Sequence, residues 1–60
     1  MKIVVTGAGG QLGHELVEAA SAQGHQVRGL TRADLDVTDS AAVRATMRRE
    51  KPDVIVHAAA

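Results

Sequence analysis

Residues 2–13 read KIVVTGAGGQLG, an apolar, β-branched run that breaks into glycines and resumes as a helix-forming segment. Lys2 to Thr6 shows no alternation of polar and apolar residues, the pattern of a strand covered on both faces, as in a parallel sheet. From Gln11 to about Gln23 the period lengthens. Leu12, Leu16, Ala19 and Ala20 share one stripe while Glu15, Glu18 and Gln23 lie off it, which predicts an amphipathic helix ended by Gly24. Gly7, Gly10 and Gly13 therefore punctuate a strand-to-helix turn at GxxGxxG spacing. In such a turn the first glycine allows the sharp exit from the strand, the second removes a Cβ from the path of an approaching pyrophosphate, and the third lets the helix lie close to the sheet. The first-turn amides of Gln11, Leu12 and Gly13, aided by the helix dipole, are then free to bind phosphate oxygens.

The rest of the chain supplies the context this motif requires. Gln26 to Leu30 predicts a second strand centred on Val27, weakened at its far end by Gly29. Asp34-Leu-Asp-Val-Thr-Asp39 is a loop of capping residues, in which Asp39 or Thr38 can receive the free amides of a helix over Ser40 to Glu50. Val43 and Met47 give that helix its buried stripe. Arg48, Arg49 and Lys51 suit the negative end of its dipole, and Pro52 forbids continuation. Asp53 to His57 predicts a third strand, apolar on both faces. The fold class is α/β, a Rossmann-type parallel sheet forming the βαβαβ half of a doubly wound fold. Right-handed crossovers are expected to place both helices on one face and leave the other bare, to be covered by further sequence or by association into a homo-oligomer.

Composition narrows the partners. Seven basic and seven acidic residues balance, so no net field draws the chain to nucleic acid or to an anionic membrane. Phe, Trp and Tyr are absent, which leaves an aliphatic core and no ring on which a base could stack. There is no cysteine and no HxxxH pair, so neither a disulfide nor a metal site is expected. Asp34, Asp36 and Asp39 could in principle gather a hard cation, but turns and caps account for carboxylates in such a loop. No apolar stretch approaches the ~20 residues of a membrane span, and Lys2 runs directly into Ile3-Val4-Val5 without a signal-peptide h-region, so a cytoplasmic protein is expected. Sixty residues make one domain at most, burying only about 60% of the surface exposed when unfolded.

A fold of this kind that selects NAD carries an acidic residue roughly 20 positions beyond the glycines for the ribose 2′-hydroxyl, whereas an arginine suits a 2′-phosphate. Thr31 and Arg32 stand there. Arg32 points to NADPH, with NADH as the alternative; as a structural residue it would be a solvated loop cation. His14 is expected to be an exposed residue of the helix's first turn.

TGAGGQLG at 6–13, LDVTD at 35–39 and PDVIVHAAA at 52–60 together resemble the start of an extended short-chain dehydrogenase/reductase, and within that superfamily the dTDP-4-dehydrorhamnose reductases. The short path from the second strand to LDVTD carries the finer likeness, since related epimerases and dehydratases have a longer insertion and an acidic residue there. The resemblance covers residues 1–60 and implies the N-terminal half of an NAD(P)-binding domain, with the substrate-binding and catalytic part outside it. It implies that Asp36 accepts from the adenine amino group and that the Val37 amide donates to the ring. His57, Ala58 and Ala59 would border the cofactor, although histidine at 57 is more usual in the epimerase branch and could equally be a strand-end residue bonded to backbone. In the family, NADPH reduces the C4 ketone of a dTDP-4-keto-6-deoxy sugar to give dTDP-L-rhamnose, with a Tyr-x-x-x-Lys pair supplying the proton. This chain has no tyrosine, and its lysines are Lys2 and Lys51, so no residue here inherits that role and the 60-residue chain alone should be inactive. Two other readings stay open at this point: the cofactor segment of a nucleotide-sugar epimerase or dehydratase, and a non-catalytic βαβαβ unit that self-associates.

Overall fold

The structure, a computed structural model, describes residues 1–58. β1 (Lys2–Thr6), α1 (Gln11–Ala22), β2 (Gln26–Leu30), α2 (Ser40–Glu50) and β3 (Val54–His57) follow one another along the chain. β1 pairs in parallel with both other strands, Val5 opposite Gly29 on one side and Val56 on the other. The strand order is thus β2-β1-β3.

That order corrects the expected placement of the helices. The chain steps outward from β1 to β2 and then back across β1 to β3, and reversing the direction of travel at constant crossover hand moves the second helix to the other face. Two neighbouring residues of β2 record the result, because adjacent strand residues face opposite ways. A Cβ on Gly29 would stand 3.1 Å from the Cβ of Ala8 and 3.2 Å from Cγ2 of Val17 in α1. Leu30, on the opposite face, clusters with Val4 and Leu35 against Ala42, Val43 and Met47. Each face of the sheet therefore carries one helix, and neither is bare. The cue lay in β2, whose Gln26 and Arg28 are exposed as befits an edge strand, while Val4 and Val5 of β1 are 0% and 1% exposed. β3 forms the other edge; Val54 and Ile55 are apolar yet each 40% exposed.

α1 also turns a different face inward from the one its leucines suggest. Gly13, Leu16, Val17 and Ala20 lie toward the sheet, whereas Leu12 is 53% exposed and Ala19 is exposed. Gly13 causes the rotation. Its missing side chain permits the closest approach of α1 to the turn: an added Cβ would run into the carbonyl oxygen of Gly7 and come within 2.7 Å of the Ala8 Cα. Gly24, at φ 85°, stops the helix, and its amide donates to the carbonyl of Ser21.

α2 starts and stops as the loop chemistry predicts. The Asp39 carboxylate accepts from the amide of Ala42 at 3.1 Å, and Val43 and Met47 pack inward. Lys51 adopts the left-handed region at φ 48° and donates its amide to the Met47 carbonyl, 2.8 Å away, just before Pro52. β3 begins at Val54 rather than Asp53; Asp53, just before it, ties down the start of β1, its carboxylate accepting from the Lys2 amide at 2.7 Å and its amide donating to the Lys2 carbonyl at 2.8 Å. Glu50, whose side chain is 11% exposed, gathers Lys2, Arg28 and Arg49 at the same end of the sheet. Burial alone would raise its carboxyl pKa, but hydrogen bonds from Arg49 and Lys2 and the charges of Lys2 and Arg28 together hold it below the ordinary value.

The two glycines on either side of the helix start should respond differently to a methyl group. Gly13→Ala is expected to lower stability by about 1–3 kcal/mol, since backbone atoms must shift to admit the Cβ. Gly10→Ala, whose Cβ would meet nothing closer than 3.7 Å, should cost about 1 kcal/mol or less as a poorer helix cap. Urea denaturation of both variants measures the difference.

Candidate functional site

A cleft of about 770 Å³ opens at the carboxyl ends of the strands, where the strand order reverses at β1. In open α/β sheets this switch point is where ligands bind, because the loops leaving the two strands run apart on opposite faces. Thr6 and Gly7 form one wall, His57 and Ala58 another, and the loop after β2 closes the outer side with Arg32, Leu35, Asp36, Val37 and Thr38.

Gly7 joins the first two walls. It sits at φ 69°, and a Cβ there would collide with the carbonyl oxygen of Ala58, so the turn leaving β1 backs directly onto the end of β3. Gly10 has no comparable internal reason to be glycine. Its backbone is ordinary, at φ −83° and ψ 168°, and an added Cβ would only reach the Gly7 carbonyl at 3.7 Å. As the residue capping α1 it supplies no side-chain hydrogen bond. The amides of Gln11, Leu12 and Gly13 find no carbonyl acceptor in the preceding turn among the described residues. The space at Gly10 thus lies on the cleft, next along the chain to these three unspent donors.

The structure brings together Gly7, Gly10, Arg32, Asp36, Val37 and Ala58 around the cleft. It leaves Gln11, Leu12 and Gly13 off the lining, so any role for these three runs through their backbone amides. Ala59 lies outside the described residues. Gly9, Leu35 and Thr38 also line the cleft; they lie within the TGAGGQLG and LDVTD stretches but were not among the expected cofactor-binding residues, and Leu35 does so as a core residue at 6% exposure whose loop is drawn in with it. His57 hydrogen-bonds through Nδ1 to the Thr6 hydroxyl at 2.8 Å, a side-chain partner and not the backbone one expected. His14 is away from the cleft on the outer face of α1, paired with Glu18 at 3.1 Å.

The three aspartates of the loop each serve their own stretch of backbone. Asp34 accepts from the amide and hydroxyl of Thr31. Asp36 accepts from the amide and hydroxyl of Thr38 through one oxygen, Oδ1. Asp39 caps α2. Among the described residues no three acidic or histidine side chains gather as a metal would need. The Thr31 bonds lower the Asp34 pKa, and the Thr38 bonds lower that of Asp36, with Arg32 adding a smaller attraction.

A parallel sheet that reverses its order at β1, a glycine-opened turn into a helix, and a cleft at the reversal define a Rossmann-like βαβαβ unit. A family model described as the RmlD substrate binding domain matches residues 1–60, and the chain belongs to that family. It is 46% identical over 57 residues to a dTDP-4-dehydrorhamnose reductase of Streptomyces griseus, covering 95% of this chain and 19% of the relative. A dTDP-4-dehydrorhamnose reductase of Mycolicibacterium smegmatis is 44% identical over 59 residues, 98% of this chain and 17% of the relative. A GDP-L-fucose synthase of Azorhizobium caulinodans is 40% identical over 58 residues, 97% of this chain and 19% of the relative. The chain therefore spans about a fifth of the length of these relatives, and its likeness is to reductases and other nucleotide-sugar enzymes. No helix among the described residues is long and apolar enough to cross a membrane.

The lowered pKa values of Asp34 and Asp36 fix a sign for acid stability. A carboxylate stabilised in the folded state adds stability that is fully present above its unfolded value, near 3.8, and loses it as pH falls through the lowered folded value. Thr38→Val removes the hydroxyl donor to Asp36 and should move that residue's titration back toward 3.8 while leaving Asp34 unchanged. Carboxyl 13C NMR across the acid range reads both groups separately.

Proposed function

We propose that this chain forms the cofactor-binding segment of an NADPH-dependent oxidoreductase acting on a nucleotide-linked sugar. The observation that carries the reading is Gly10: neither the backbone angles nor the internal packing requires a glycine there. The missing side chain leaves space on the cleft beside the first-turn amides of α1, which no carbonyl of the preceding turn takes up. A pyrophosphate fits that donor set, since its oxygens would accept from the amides of Gln11, Leu12 and Gly13 at the positive end of the helix dipole. The shape of Gly7 and Gly13 brings the turn close enough for this approach. Asp36 and Val37 on the outer wall would take the adenine, Arg32 beside them the 2′-phosphate, and Ala58 and Ala59 at the end of β3 would leave room for the nicotinamide half. Arg32 favours NADPH over NADH because a guanidinium binds a phosphate more strongly than a hydroxyl.

When bound, the cofactor supplies a hydride; the residues of this chain hold and orient it. The substrate is proposed as a dTDP-4-keto-6-deoxy sugar whose C4 ketone is reduced to give dTDP-L-rhamnose, supported by the names of the relatives of S. griseus and M. smegmatis. The similar GDP-L-fucose synthase leaves the cofactor reading unchanged and supports a nucleotide sugar as the wider substrate class. A cytoplasmic setting and a homo-oligomer belong to the same proposal.

Titration of the protein at its full natural length with NADPH and NADH, followed by cofactor fluorescence, tests the reading. Gly10→Val should abolish detectable binding, because the branched side chain would occupy the phosphate's place. Arg32→Glu should weaken NADPH by roughly tenfold or more while affecting NADH far less, the loss expected for one charge-assisted contact. Equal loss of both cofactors on changing Arg32 would refute the assignment of the 2′-phosphate to it.

A further inference from the structure

Thr6 and His57 are register partners across the β1–β3 pair, and they differ in one respect that bears on chemistry. Thr6 is 4% exposed, and the partner of its hydroxyl among the described residues is Nδ1 of His57, at 2.8 Å. A hydroxyl oxygen can do without one of its acceptor sites, but a buried O–H with no acceptor loses a hydrogen bond it would have in water. Donation from the Thr6 hydroxyl to Nδ1 is the direction that gives this buried O–H an acceptor. A neutral imidazole that accepts at Nδ1 carries its proton on Nε2. His57 is exposed and lines the cleft beside Gly7 and Ala58, and Nε2 has no hydrogen-bond partner among the described residues.

We propose that Thr6 is a positioning residue that holds His57 as the Nε2–H tautomer, and that His57 thereby presents a fixed N–H donor to an oxygen of the bound dinucleotide where it crosses the end of β3. The donor role rests on the dinucleotide reading of the cleft; the tautomer does not. A threonine at this point of a strand would otherwise be an ordinary β-branched core residue, and valine would fill its volume. What valine cannot do is set which ring nitrogen keeps the proton.

The test uses the full-length protein with 15N-labelled histidine, whose ring nitrogen shifts report directly where the proton sits. Wild-type His57 should be protonated on Nε2, and Thr6→Val should give a mixture of tautomers without unfolding the strand. NADPH affinity should fall roughly two- to tenfold in Thr6→Val and in His57→Leu, the range for one hydrogen bond. His57→Gln, which keeps an N–H donor at similar reach, should stay within about twofold of wild type. A proton on Nδ1 in the unaltered protein overturns the proposal without recourse to any variant, as does wild-type affinity in His57→Leu. A protein that shows the Nε2–H tautomer but binds neither NADPH nor NADH would instead overturn the dinucleotide reading, and the donor role with it, while the hold of Thr6 on the ring would stand.

Discussion

The approach of Gly13 to the carbonyl of Gly7 is the contact on which the rest of the molecule depends. Two backbones meet where any side chain would collide, and this closeness fixes where α1 begins, how it is rotated and which way its first amides point. Gly7 transmits the constraint to the other side, since its left-handed turn lies against the carbonyl of Ala58. The turn from β1 into α1 and the end of β3, about 50 residues further on, are thereby locked into one corner by backbone contact. Helix amides left without a carbonyl partner in that corner are a consequence of the packing, so the same geometry that stabilises the fold supplies the donors on which the proposed binding rests.

The sheet's two ends divide the work. At the amino end of the strands, Asp53 and Glu50 tie β3 and α2 to Lys2 and Arg28 through ion pairs and a carboxylate cap. At the carboxyl end, the polar groups are largely backbone amides, the Thr6–His57 pair and the turn aspartates. Ion-paired side chains hold the amino end, and the cleft opens at the carboxyl end. Arg32 is the arginine among the cleft residues, and the proposed preference for a phosphate over a hydroxyl rests on it.

Much of this was legible in the residues. The five elements, the Asp39 cap and the inward side of α2 follow from hydrophobic period and turn chemistry, which act locally. The order of the strands did not follow, because it depends on which strand is wanted in the middle; only the polar Gln26 and Arg28 against the dry Val4 and Val5 carried that information. The rotation of α1 was hidden for a related reason: a glycine has no hydrophobicity, so a stripe counted from leucines misses the residue that approaches most closely. In the cleft, Gly7, Gly10 and Arg32 stood out in the sequence, whereas Leu35 and Thr38, though part of LDVTD, line it through loop packing that the motif does not spell out. The Thr6–His57 bond spans 51 positions of sequence and depends on β3 lying beside β1, so it could be read only once the strand order was known.

The central claim is that unspent amides at the start of α1 receive the linked phosphates of a dinucleotide. Amide chemical shifts of the full-length 15N-labelled protein during an NADPH titration test it most directly. The account predicts saturable shifts that are largest at Gln11, Leu12 and Gly13. Saturable binding that leaves these three amides unmoved would contradict it.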